Sequence, residues 1–252
     1  MDRSEKIIEI VQSHGGISFK DLSQYFDVTE MTIRRDIEKM KKRGIVKTVS
    51  GAIMLEDSDI YKTYSLEQER ETNYIQKEAI GIACASLVGK NEVIYVDIGT
   101  TAVNVLKHLD PSASNVVIVS TENALRELLR IDYRNYIVTG GKLDPLSGVY
   151  IDRYGINTIK NYSINISFIS AAGIDEHLGV TCINEFEVPI KQAAMTHSAV
   201  KCLVADSSKF GAVRLHNFGT IDDFDIVVTD DLISEHWLNL FEEKGIRVVI
   251  AK

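Results

Sequence analysis

From Glu92 onward the chain alternates short aliphatic runs with amphipathic stretches, and this alternation restricts the available folds more than any other feature. The strand-like runs fall at 92–97, 115–120, 135–139, 164–170, 200–205, 225–229 and 246–250. Helical spacing occupies 101–109, 122–131, 152–161, 185–198 and 234–244. Strands so uniformly aliphatic are covered on both faces, and a repeated β-then-α order joins them in parallel. The expected fold of this part is an α/β domain with a mainly parallel sheet covered by helices on both faces.

In such sheets small ligands bind beyond the carboxyl ends of the strands. The loops that fall there are Asp97-Ile98-Gly99-Thr100-Thr101, Ser120-Thr121-Glu122-Asn123, Gly140-Gly141-Lys142, Ala171-Ala172-Gly173-Ile174-Asp175 and Asp206-Ser207-Ser208-Lys209. Glycines admit a ligand close to the backbone, and hydroxyls and amides donate to it. Gly99-Thr100-Thr101, at a helix start, is therefore expected to cradle an anion. One Gly-Thr turn often does no more than cap a helix, but polar loops repeated at equivalent positions carry more weight. Asp97 would repel a dianion, so it is expected to accept from sugar hydroxyls or to brace its own loop. Lys191 and Lys209 are the expected counter-charges.

The charge distribution separates a first part from the rest. The formal net charge is −8, yet residues 1–55 hold 10 Lys/Arg against 8 Asp/Glu, and within 31–50 the count is 7 basic to 2 acidic. A small basic module thus precedes an acidic body, which argues against indiscriminate coating of nucleic acid. Asp2 with Glu5 reads as a capping pair before Ile7, Ile8 and Val11, and Ser18 with Asp21 opens a second helix with Leu22, Tyr25 and Phe26 inward. Thr29 opens a third, TEMTIRRDIEKMKKRG. At 100° per residue Ile33, Ile37 and Met40 share one sector and face a core. Met31, Thr32, Arg35, Glu38, Lys39 and Lys42 then point outward. Such a face could be merely solvated. The two capped helices before it, and a hairpin from Ile45 to Leu55 after it, make it a recognition helix suited to base edges and phosphates in a major groove.

The run from Glu5 to Met54, above all Thr32-Ile33-Arg34-Arg35-Asp36-Ile37, Gly44-Ile45-Val46-Lys47 and Ser50-Gly51-Ala52, resembles the winged helix-turn-helix of DeoR-type bacterial transcriptional regulators. Where that family's wing usually reads R-x-H-G-G-A, this chain has Lys47-Thr48-Val49-Ser50-Gly51-Ala52, so its wing keeps the charge without the bidentate fork. With the resemblance the expected DNA contacts are Ser18, Thr29, Met31, Thr32, Arg34, Arg35, Lys39, Lys42, Lys47 and Ser50. The later stretches VDIGTTAVNVLKHL, VTGGKLDPLSGVYID, ISAAGIDEHLGVTCINEFEVPIK and VADSSKFG look like the sensor domain of the same regulators, similar in fold to ribose-5-phosphate isomerase. That likeness implies a phosphorylated sugar as effector, held by Asp97, Gly99, Thr100, Thr101, Thr121, Asn123, Gly140, Gly141, Ser147, Gly173, Asp175, Lys191 and Lys209.

The expected organisation is a DNA-binding domain at 1–56, a linker and helix start at 57–74, and a sensing domain at 75–252. A connecting helix is expected to turn Ile75, Ala79, Ile82 and Leu87 inward. Double-stranded operator DNA and a phosphorylated sugar are the expected partners, with a homodimer or homotetramer spanning two half-sites. A sugar-phosphate isomerase is the alternative from another class. Asp97, Asp175, Glu176 and Glu185 supply carboxylates for it. The family's G-A-D-G-I-D reads Ser170-Ala171-Ala172-Gly173-Ile174-Asp175 here, however, so the acidic pair is cut to one. A protein-interaction module is the third reading, and it lacks the steep salt dependence of DNA binding. Cys84, Cys182 and Cys202 lie far apart, and the histidines have no ligand spacing, so neither metal nor cofactor is expected. The charged start MDRSEKIIEI, with no apolar run near the roughly 20 residues of a membrane helix, predicts a cytoplasmic protein with no membrane partner.

Overall fold

The computed structural model describes residues 3–49, 51–56, 66–145 and 147–252. The N-terminal unit runs α1 (Arg3–His14), β1 (Ile17–Ser18), α2 (Phe19–Tyr25), α3 (Glu30–Lys42), β2 (Val46–Val49) and β3 (Ala52–Leu55). Local chemistry sets these boundaries. The Ser18 hydroxyl accepts the Asp21 amide at 3.0 Å and starts α2, and Thr29 accepts the Thr32 amide at 3.4 Å and starts α3. Gly51, at φ +88°, closes the hairpin that joins β2 to β3, and β1 pairs with β3 to complete a three-stranded sheet. Ile7, Ile10, Val11, Leu22, Ile33, Ile37 and Met40 form the core between helices and wing.

One expected inward residue differs: Tyr25 is 58% exposed, while Ile8 and Phe26 are partly buried against the core. Helix α2 ends at Tyr25, and Phe26 in the cap turns toward the core instead, leaving Tyr25 edge-on against it at 5.0 Å. Asp2, Ser50 and residues 57–65 of the expected linker and helix start at 57–74 lie outside the described residues.

The second part follows the expected alternation. After α4 (Leu66–Glu71) and α5 (Tyr74–Ala85) come β4 (Val93–Val96), α6 (Thr100–Leu106), β5 (Val116–Val119), α7 (Glu122–Arg130) and β6 (Tyr136–Val138). A small hairpin, β7 (Lys142–Leu143) and β8 (Tyr150–Ile151), precedes α8 (Arg153–Lys160) and β9 (Ile164–Ser170). Then follow β10 (Gly173–Asp175), β11 (Gly179–Cys182), α9 (Glu187–Thr196), β12 (Ser198–Val204), β13 (His216–Gly219), β14 (Ile226–Asp230), α10 (Glu235–Glu243) and β15 (Arg247–Ala251). Seven strands make one parallel sheet in the order β15-β14-β12-β9-β4-β5-β6. Side chains alternate across it: Ile94, Val96, Val117 and Val119 enter the layer shared with α5, α6 and α7, while Tyr95 and Ile118 enter the layer shared with α8, α9 and α10. Both faces are therefore covered.

The sequence reading missed the antiparallel sheet β10-β11-β13, because its short strands carry no sustained alternation. Of the residues expected inward on the connecting helix, Ala79 and Leu87 pack against the core, but Ile75 and Ile82 do not. Ile75 is 78% and Ile82 53% exposed, whereas Lys77, Ile80, Gly81 and Cys84 are buried. The reason is close helix packing. A Cβ at Gly81 would lie 2.8 Å from the Asn104 carbonyl, so α5 presents its smallest surface to α6.

The two parts touch. Val213, in the loop before β13, packs with Ala52 and Met54 of β3, with Leu178 and Leu215 beside them. Arg214 reaches the main-chain carbonyl of His14 at the end of α1.

Candidate functional site

Helix α3 is the first candidate surface. Its inward sector anchors it, and Arg35, Lys39 and Lys42 are exposed on the other side with no ion-pair partner among the described residues. Met31 is 68% exposed beside them. Arg34 lies over the Phe19 ring at 4.4 Å and 3.5 Å from Glu30, so it also binds α3 to α2. Thr29 and Thr32 share a hydroxyl contact of 3.1 Å at the helix start. Ser18 is buried, with its hydroxyl donating to Asp21 at 2.5 Å, so its side chain is used within the fold. Lys47 donates to the Glu56 carbonyl at 3.0 Å, and Ser50 lies outside the described residues. The arrangement presents unpaired cations and short polar groups on one rigid rod.

The second candidate is a cavity of about 460 Å³ above the carboxyl ends of β4 and β9. Six of the expected effector residues line it: Gly99, Thr100, Thr101, Ser147, Lys191 and Lys209. Asp97 lies beneath them, fully buried. Its Oδ2 accepts the Ser170 amide at 2.9 Å, the Ser170 hydroxyl at 2.6 Å and the Lys191 ammonium. Lys191 also donates to the Ser170 carbonyl at 2.9 Å and stands 3.6 Å from Glu187. Burial opposes the charge on Lys191, but Asp97 and Glu187 outweigh it and hold the ammonium above the ordinary lysine range. Burial raises the Glu187 carboxyl. Lys209 binds Glu69 of α4 at 2.6 Å, and the buried Lys77 binds the same carboxylate at 3.1 Å. Burial works against the charge of Glu69, and the two lysines overcome it, leaving this carboxyl below its usual range.

The other expected residues fall elsewhere. Thr121 caps α7 through the Ala124 amide at 3.2 Å. Asn123 lines a separate cleft of about 700 Å³ with Arg70, Lys107, Arg126 and Arg130. Gly140 and Gly141 shape a turn outside the cavity. A Cβ on Gly173 would lie 2.6 Å from the Ala212 carbonyl, so that glycine lets the loop before β13 lie against β10. The sequence reading missed Glu69, Glu187 and Arg214, and missed that Val11, Gln12, Gly15 and Leu55 of the N-terminal unit close the cavity from the far side. No local pattern marks these residues, because chain segments far apart in sequence bring them together.

Asp175 also lies outside the cavity wall. It accepts the His177 and Leu178 amides, each at 2.8 Å, and faces Asp21 of the N-terminal unit. Burial, with Asp21 beside it, pushes its carboxyl from 3.8 up to about 6. The docked arrangement thus holds a proton that the separated one releases between those values. Docking is expected to be tightest in acid and to weaken as pH rises through about 6. Asp175→Asn keeps an acceptor for the amides and supplies a donor to Asp21, so it should flatten this dependence. Electron-spin distances between nitroxides at Lys20→Cys and Asn161→Cys would measure it, since both positions are exposed and the native cysteines are buried. A distance distribution independent of pH in the parent protein would refute the shared proton.

Comparison with known proteins covers both surfaces. Residues 3–58 match the model of a DeoR-like helix-turn-helix domain, and residues 72–231 match that of the DeoR C terminal sensor domain. The uncharacterized HTH-type transcriptional regulator YulB of Bacillus subtilis is 32% identical over 249 residues, spanning 98% of this chain and 95% of its own. The deoxyribose operon repressor of Escherichia coli K12 is 27% identical over 250 residues, 98% of each chain. Among solved structures, ribose 5-phosphate isomerase A of Methanocaldococcus jannaschii aligns over 55% of each chain at 14% identity, with a TM-score of 0.42.

Proposed function

This chain belongs to the DeoR family of DNA-binding transcriptional regulators, and from that premise we propose that it represses a sugar-metabolism operon and is released by a phosphorylated sugar bound in the 460 Å³ cavity. It is a regulator and not an enzyme, in line with relatives named as a transcriptional regulator and an operon repressor. In this reading residues 1–56 are the DNA-binding domain and 75–252 the sensor. The protein works in the cytoplasm, where its operator lies, as a homodimer or homotetramer that sets two recognition helices on two half-sites.

One observation carries the proposal: hydroxyls and cations of the sensor form one wall of the cavity, and residues of the DNA-binding unit form the other. Thr100, Thr101, Lys209 and Arg214 offer donors to phosphate and sugar hydroxyls, and a wall belonging to the DNA-binding unit makes its position sensitive to what the cavity holds. The effector must favour the non-binding arrangement by about 2.7 kcal/mol to weaken operator binding about 100-fold, within the usual range of allosteric coupling. The named target of the Escherichia coli relative, a deoxyribose operon, supports a sugar-derived effector.

Thermal unfolding against phosphorylated sugars, each paired with its parent sugar, tests this. A ligand at about 100 times its dissociation constant adds about 2.7 kcal/mol to the stability of the unit that holds it. One phosphorylated sugar should raise the midpoint while its parent sugar does not. The double substitution Thr100→Ala, Thr101→Ala should abolish that rise and leave operator binding without effector unchanged. A broad panel with no shift would remove the sugar-phosphate reading.

A further inference from the structure

Arg214 differs from the other cations of the cavity. Lys191 is paired with Asp97 and Glu187, and Lys209 with Glu69, but Arg214 has no ion-pair partner among the described residues. Its Nη1 donates to the main-chain carbonyls of His14 and Val213, the second at 3.1 Å. Burial works against its charge, and Glu69 offsets this only from a distance. Neutral carbonyls leave much of a guanidinium's five-donor fork unused. The turn after α1 is built around this group: Gly15 has φ +75°, and a Cβ there would collide with the guanidinium. The same short loop that carries Lys209 into the cavity carries Val213 onto Ala52 and Met54.

We propose that Arg214 couples the cavity to the DNA-binding unit: its guanidinium holds the His14 carbonyl, and a phosphate group entering the cavity takes it as a bidentate partner and frees His14. This rests on reading the cavity as a site for a phosphorylated effector. The exchange is favourable because a bidentate, charge-assisted pair is roughly twice as strong as a bond to a neutral carbonyl. Arginine's planar fork suits phosphate in a way that lysine's point charge does not. Release of His14 then leaves Val213 with its apolar neighbours, and the Asp175–Asp21 pair, to hold the unit.

The test uses the full chain with nitroxides at Lys20→Cys and Asn161→Cys, at one fixed pH below the Asp175 transition, where docking is tightest, with inorganic phosphate titrated at constant ionic strength. Phosphate should broaden the interdomain distance distribution of the parent protein. Arg214→Gln should show the broad distribution without phosphate, and its phosphate affinity should fall about tenfold or more, as loss of a charge-assisted pair requires. Gly15→Ala, which places a side chain at a left-handed backbone position against the guanidinium, should push Arg214 off the His14 carbonyl and give the broad distribution without phosphate. Failure of phosphate to move the parent distribution, or a narrow distribution in Arg214→Gln, overturns the proposal. If Arg214→Gln does not fold, the parent titration and Gly15→Ala still decide it. A sugar phosphate that raises the melting midpoint while leaving the distances unchanged would keep the sensor reading and remove the coupling. No shift from any sugar phosphate would remove the sensor reading itself.

Discussion

Replacing Lys191 with methionine should destabilise the α/β part by about 3–5 kcal/mol, the usual cost of removing one partner from a buried ion pair. Lys191 and Asp97 are almost wholly inaccessible, and Asp97 directs one oxygen to Ser170 and Lys191 while its other oxygen has no hydrogen-bond partner among the described residues. Without the ammonium a carboxylate remains buried with only the Ser170 donors. In a domain of this size the melting midpoint should fall by roughly 10 °C. The double variant Asp97→Asn, Lys191→Met removes the stranded charge and should recover much of the loss. Lys191 is held above the ordinary lysine range, so its contribution is complete below that range and disappears only as pH climbs through the raised value. A single variant as stable as the parent protein would show that the pair contributes nothing. The stability measurement is needed to read effector experiments, because a Lys191 variant can lose its response by loosening the floor of the cavity.

Arg35→Ala should weaken operator binding by about 1–3 kcal/mol, roughly 5- to 150-fold, while the thermal response to the effector stays intact. Arg35 is exposed, belongs to the turn of α3 opposite Ile33 and Ile37, and has no acid to hold it back from DNA. Lys39→Ala, four residues on, should cost less and equally on specific and unrelated duplexes, reducing the salt slope by about one, because an ammonium on phosphate positions the helix without reading sequence. Binding measured at two salt concentrations on both duplexes separates these effects. Unchanged operator affinity in Arg35→Ala would take this residue off the recognition face.

The outward and inward sectors of α3 were readable from sequence because a helix wheel depends only on residues three and four apart. The parallel sheet was readable for a similar reason, since strands buried on both faces need continuous aliphatic runs. The same reasoning misplaced Ile75 and Ile82 of α5, which are exposed while Lys77 and Gly81 are buried. There the spacing was helical as expected, but the facing helix selected the small side. Grouping the loops by topology brought Gly99, Thr100, Thr101 and Lys209 to one cavity, where the resemblance added Ser147 and the expected counter-charge Lys191 also falls, and left Thr121, Gly140, Gly141 and Gly173 to caps, turns and close backbone packing.

The sequence alone determined the order of the seven parallel strands and of the helices between them, the basic outward face of α3 and the end of the sheet at which the cavity opens, because each follows from backbone periodicity and charge within a short window. Only the tertiary structure decided how the charges pair and what closes the cavity. Arg214 meets His14 from 200 residues away, Lys191 meets Asp97 from 94, and Asp175 faces Asp21 across the two units. Such pairings depend on how distant surfaces pack, and no window of local periodicity contains both partners.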